Sequence, residues 1–109
     1  MNEREIGRIN AININYGDGY HQVTTALGFE MRGLADDTNS GVLIVKAPGV
    51  GHVVLDEDAD LIALTVGEFR VGSAVMQAVA HIPESSAVVA EVLATGEINQ
   101  GDPITVFER

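Results

Sequence analysis

The sequence predicts a mainly β fold, a small barrel or sandwich of short strands with one short helix. Apolar and polar residues alternate with a period of two along several short segments, which are rich in β-branched residues. Most of the 12 glycines lie at the ends of these segments, as expected for strands joined by tight turns. A chain of 109 residues is sufficient for a single domain, 1–109, with one core. An α+β fold is the alternative.

The first third of the chain reads as strands connected by turns. Apolar residues alternate with asparagines over 6–15, and the Gly-Asp-Gly turn that follows suits a hairpin. The next strand, over 21–33, has the clearest alternation in the sequence. Its apolar side carries Leu27, Phe29 and Met31, so we expect that side to be buried and the other side to face water.

Three further strands are predicted in the middle of the chain. The continuous apolar run 42–45 is typical of a strand covered on both faces. Segments 52–55 and 61–66 have strand-like composition, and the acidic stretch 56–60 between them reads as a turn or exposed loop.

The helix is predicted over about 71–82, where small and branched apolar residues recur at three- and four-residue spacing. Pro83 ends this segment, because the residue before a proline avoids the helical region. Segment 87–95 is compatible with a short helix or with a strand, and 104–107 alternates as a final strand should.

Charge and composition exclude several classes of function. Sixteen acidic residues against six basic ones give a net charge of −10, which disfavours binding to nucleic acids and to anionic membrane surfaces. There is no cysteine for a disulfide, a zinc ribbon, an iron–sulfur cluster or a thiol nucleophile. No apolar run approaches the ~18 residues of a membrane span, and the N-terminal residues do not resemble a signal peptide. We therefore expect a cytoplasmic protein.

A turn rich in glycine is the first candidate binding site. Its residues Lys46, Gly49, Gly51 and His52 place the single lysine of the chain and a histidine on either side of a Pro-Gly turn. Backbone N–H groups of such loops can point at an anion, and the two side chains would add positive charge. The alternative is an ordinary turn that ends a buried strand.

The acidic stretch is the second candidate site. Asp56, Asp58 and Asp60 have the alternating spacing that opens a calcium-binding loop, and His52 precedes them closely. The glycine and the final acidic residue of an EF-hand loop are missing. These four residues allow a divalent metal, although no cofactor is predicted. The alternative is a solvated turn that protects a strand edge from pairing.

No catalytic constellation stands out, so the sequence leans against an enzyme. It favours a non-catalytic assembly or binding domain, in particular a homo-oligomeric subunit. A chain this short buries about two thirds of its unfolded surface, which leaves apolar area for a partner copy. A small metal-dependent or acid–base enzyme with its site at a subunit interface is one alternative, and a regulatory domain that binds a small anion is another. The sequence does not specify the ligand or the number of subunits.

Overall fold

A computed structural model describes residues 2–38 and 40–108 and confirms the mainly β fold, as a small barrel. Eleven strands are found in this part of the chain: Asn2–Asn15 (β1), Tyr20–Val23 (β2), Thr25–Phe29 (β3), Gly33–Leu34 (β4), Val42–Lys46 (β5), Val53–Leu55 (β6), Glu68–Val71 (β7), Ala74–Ile82 (β8), Ala87–Ala94 (β9), Gly96–Asn99 (β10) and Pro103–Glu108 (β11). Two 3₁₀ helices, Leu61–Thr65 and Pro83–Ser85, complete the elements described.

Seven strands close into a barrel in the order β11-β7-β8-β9-β5-β6-β1. Closure depends on β1, whose 14 residues pair with β11 at the beginning of the strand and with β6 and β2 towards its end. Strand β5 runs parallel to β6, and the other neighbouring strands of the barrel are antiparallel. A closed barrel leaves no long sheet edge exposed, which limits uncontrolled strand pairing.

A second sheet, in the order β10-β3-β4, packs against the barrel, and its residues Ala26, Leu34 and Ile98 join the main hydrophobic core. Close approach requires glycine in β10, because a Cβ atom at Gly96 would clash with backbone atoms of Ser73 and Ala74. The hydroxyl of Ser73 donates to the carbonyl of Glu97 (2.8 Å) and accepts from its N–H (2.9 Å), which attaches β10 to the barrel.

The core fills the barrel with large apolar side chains from almost every strand. Leu61 and Leu64 of the first 3₁₀ helix join this cluster. A smaller cluster of Val45, Val54 and Ala87 lies apart from it, so β5 contributes to two clusters and is covered on both faces, as predicted for 42–45. The largest fully buried side chains are Ile9, Ile12, Ile44, Leu55, Leu64, Phe69, Met76, Ile98 and Ile104.

The helix predicted over 71–82 is wrong, because this segment ends β7 and forms β8. Strand β8 pairs with β7 on one side and β9 on the other, and this pairing overrides a weak helical pattern. The register shifts between Ala78 and Ala80, so Val79 is an extra residue that interrupts the alternation. That interruption produced the three- and four-residue spacing typical of a helix. The α+β alternative is therefore wrong as well.

The structure corrects the prediction for residues 61–66 and decides between the two alternatives for residues 87–95. Residues 61–66 were expected to form a strand, but Leu61–Thr65 is a 3₁₀ helix. Asp60 begins it, because its carboxylate accepts a hydrogen bond from the N–H of Ala63 (3.3 Å). The ambiguous segment 87–95 forms strand β9. Neither helix in the described part of the chain has the length and apolar character needed to cross a membrane.

The single strand predicted over 21–33 is three strands, and the burial of its central part is the reverse of what we expected. In β3, Ala26 and Gly28 face the barrel, whereas Leu27 and Phe29 face outward. The barrel surface beneath β3 is already filled by the side chains of Ala74 and Val92. Space is left there for small residues, so the large apolar ones lie on the open side.

Candidate functional site

A buried polar junction connects the end of β1, the loop that follows β4 and the start of β6. We define it as Asn15, Tyr20, Asp37 and His52. The side chains of Asp37 and His52 are 0% and 4% exposed. Burial of a carboxyl group and an imidazole is costly unless each finds partners, so their contacts determine what this junction can do.

The contacts of His52 fix its tautomer. Nδ1 accepts a hydrogen bond from the N–H of Leu43 (2.9 Å), so the ring proton belongs on Nε2. Nε2 lies 3.0 Å from Oδ2 of Asp37, but away from the direction of the ring N–H, so this contact is electrostatic rather than a directed hydrogen bond. Oδ2 of Asp37 also accepts from the N–H of Asn15 (2.7 Å). Both ring nitrogens therefore face groups of the same chain.

Tyr20 covers one side of the junction. Its ring meets the imidazole of His52 edge-on, with 5.3 Å between the ring centres. Burial raises the pKa of Tyr20, and the nearby charge of Asp37 raises it further. The arrangement ties three elements together and shields the Asp37–His52 pair from water, which is a structural role.

The exposed side of β3 has the opposite character. We call Leu27, Phe29 and Met31 the outer face. Phe29 is 39% exposed and Met31 is 84% exposed, although large apolar side chains in regular alternation are usually buried. Met31 also has a positive φ of 63°, which is uncommon for a bulky residue and presents its side chain at the turn between β3 and β4.

A cavity of about 690 Å³ lies beside the outer face. We call it the side cavity. Arg32 lines it, and no hydrogen bond or ion pair of this guanidinium group is found among the described residues. Its size suits a drug-sized molecule or a short protein segment. It is lined by Phe29, Met31, Arg32, Leu34, Ala35, Asp36, Asp37, Thr38 and Ser40.

The residues of the predicted anion site lie in a tight turn after β5. The N–H of Gly49 donates to the carbonyl of Lys46 (2.7 Å), so this group is engaged within the chain. A Cβ atom at Gly51 would lie 2.9 Å from the carbonyl oxygen of Leu43, which explains the need for glycine there. The imidazole of His52 is directed to Leu43 and Asp37.

The residues of the predicted metal site have separate partners. Oδ1 of Asp56 accepts from the N–H of Arg8 (2.8 Å), and Asp60 begins the first 3₁₀ helix. Asp58 is exposed, and His52 pairs with Asp37 rather than with this loop. Within residues 2–38 and 40–108, no group of three or more His, Asp or Glu side chains is arranged to hold a metal ion.

Sequence reasoning missed the roles of Asp37, Arg32 and Tyr20. Asp37 belongs to a cluster of turn residues, and nothing local relates it to His52. The alternation over 27–31 was a usable signal for the outer face, but the side of the strand that the barrel covers is set by distant residues.

Comparison with known proteins adds no further information. No family model matches the chain, and no curated protein or solved structure matches it significantly.

Proposed function

We propose that this chain is a non-catalytic subunit that assembles with copies of itself. One observation carries the proposal: the most regular apolar alternation in the sequence lies on the exposed outer face of the folded chain. Patterning of this kind marks a face that is normally buried, and here no element in the described part of the chain covers it. A second copy would remove this apolar surface from water.

The strand that carries the outer face is held in place by its neighbours. The inner side of β3 lies directly on the barrel, and its backbone pairs with β10 and β4. Because the strand is held on three sides, its exposed side chains need little ordering when a partner binds. A preorganised surface loses less entropy on association, which favours a specific contact.

Charge sets the conditions for assembly. Each copy carries a net charge of −10, so two copies repel one another at low ionic strength. Salt screens this long-range repulsion more than it weakens apolar contacts at short range. Assembly should therefore tighten as ionic strength increases.

Sedimentation velocity over a range of protein concentrations, at low and high salt, tests the proposal. We expect wild-type protein to associate reversibly, and Phe29→Gln to weaken association about tenfold or more, which corresponds to about 1.4 kcal/mol. Ile62→Gln is the matched control, because Ile62 is 67% exposed on the first 3₁₀ helix, outside the outer face.

The control variant should associate like the wild type. A wild-type chain that stays monomeric at every concentration and salt level would overturn the proposal. Equal association by the two variants would show that Phe29 has no special role, and would overturn it too.

The alternative functions have less support. Both nitrogens of His52 face groups within the chain, so the imidazole is not directed at a metal ion or a substrate. The N–H of Gly49 is likewise used to close a turn. The outer face supports self-assembly. No comparable feature of the described residues supports an enzyme with its site at a subunit interface or an anion-binding domain.

A further inference from the structure

We propose that assembly is heterologous: the tip of the β8–β9 hairpin of one copy occupies the side cavity of the next. This inference rests on the proposed function and names the two surfaces that meet. We define the hairpin tip as residues 82–86, which include the second 3₁₀ helix.

The hairpin tip has the shape and composition of an inserting segment. Ile82 and Pro83 are exposed at this narrow turn, and Val79 is exposed nearby at the bulge of β8. The side cavity offers Phe29 and Met31 as apolar counterparts. Burial of these groups against each other would stabilise the contact by removing both from water.

Charge supports the same pairing. Glu84 lies at the exposed tip, and no hydrogen bond or ion pair of its carboxylate is found among the described residues. Likewise, no hydrogen bond or ion pair of Arg32, which lines the cavity, is found within residues 2–38 and 40–108. Asp36 and Asp37 also line the cavity, but the side chain of Asp37 is buried against His52. Arg32 is therefore the one basic residue of the described lining and the group to which a carboxylate from another copy would bind.

The tip cannot reach the cavity of its own chain. The N–H of Met31 donates to the carbonyl of Val92 (2.9 Å), which places the cavity beside that part of β9. The tip meets β9 at Ala87, about 16 Å away along the strand at about 3.3 Å per residue. Since β9 is paired on both sides, this separation is fixed, and the tip must enter a different copy.

This geometry determines the kind of assembly. Each copy gives one tip and receives one tip through different surfaces, so the contact is head-to-tail rather than two-fold. Head-to-tail contacts form closed rings, or filaments where the rotation does not close.

A charge exchange tests the inference. Arg32→Glu and Glu84→Lys should each weaken association about tenfold or more in sedimentation velocity. The double variant should regain it while keeping the wild-type net charge of −10. An equimolar mixture of the two single variants should also assemble, because the tip of each then meets the cavity of the other with opposite charge.

Glu57→Lys is the matched control, since it makes the same change of charge at an exposed residue away from the tip. Circular dichroism confirms that each variant is folded. If Phe29→Gln weakens association but Glu84→Lys behaves like Glu57→Lys, the heterologous contact is wrong and self-assembly stands. Failure of both the double variant and the mixture to recover would also overturn the contact. A monomeric wild type overturns both proposals.

Discussion

In most proteins ionisable side chains are exposed and large apolar ones are buried. The polar junction and the outer face each depart from one half of this rule. At the junction, the ionisable side chains of Asp37 and His52 are buried, whereas at the outer face Phe29 and Met31 are exposed. Each would be unfavourable if left alone. The junction has its contacts within the chain, because Leu43 donates a hydrogen bond to His52, Asn15 donates one to Asp37, and Nε2 of His52 lies against the Asp37 carboxylate. The outer face has no such cover in the described residues.

The two regions therefore have different roles: the junction stabilises the fold, and the outer face is available for association. A buried polar pair enclosed by contacts within its own chain helps to fix one conformation and is not accessible to a ligand. An exposed apolar group stays in contact with water in the isolated chain and gains free energy when a partner covers it. Changes at the junction should therefore act on unfolding, and changes at the outer face on association.

The largest effect is expected from His52→Ala. This change removes the partner of a buried carboxylate and the acceptor for the N–H of Leu43, so we expect the free energy of unfolding to fall by about 3 kcal/mol. Urea denaturation measures it. His21→Ala is the matched control, because His21 contacts Asp18 at 2.8 Å in an exposed turn and its loss should change stability little.

A double-mutant cycle with Asp37→Ala sharpens this result. The two losses should not add, since each single change removes the same contact between Asp37 and His52. Additive losses, or equal losses for His52→Ala and His21→Ala, would contradict the description of Asp37 and His52 as a buried, interacting pair.

A smaller effect is expected where the second sheet meets the barrel. A Cβ atom at Gly96 would clash with backbone atoms of Ser73 and Ala74. Gly96→Ala should therefore lower the free energy of unfolding by about 2 kcal/mol, measured by urea denaturation. It should also weaken assembly, because β10 supports the strand that carries the outer face.

Gly67→Ala is the control, since nothing lies within 4 Å of a Cβ atom at that position. An unchanged stability for Gly96→Ala would mean that the second sheet is not firmly attached to the barrel. The outer face would then not be the preorganised surface that self-assembly requires.

The sequence predicted the barrel better than it predicted the polar junction or the outer face. Period-two alternation and turn composition are local, and they identified β1, β5 and the final strand. The burial of β3 was predicted on the wrong side, because Ala74 and Val92 decide it from elsewhere in the chain. The pairing of Asp37 with His52 also depends on closure of the barrel. Long-range packing leaves no pattern in a single sequence.

The smallest expected effect is on the ionisation of Tyr20. Burial and the charge of Asp37 both favour the neutral phenol, so Tyr20 should titrate above the usual value of about 10. Because its pKa is raised in the folded state, stability should be complete below about pH 10 and decline as the pH rises through the folded pKa. The chain has two tyrosines, so a Tyr16→Phe background leaves the phenolate absorbance of Tyr20 alone.

In that background, Asp37→Asn should lower the pKa of Tyr20 towards its usual value but not fully, because burial is the larger cause and would remain. Spectrophotometric titration of the two variants measures the difference directly. Phe29→Gln in the same background should leave the titration unchanged, since the outer face lies outside the junction. A shift with Phe29→Gln, or none with Asp37→Asn, would show that the two regions are not separate in the way their contacts indicate.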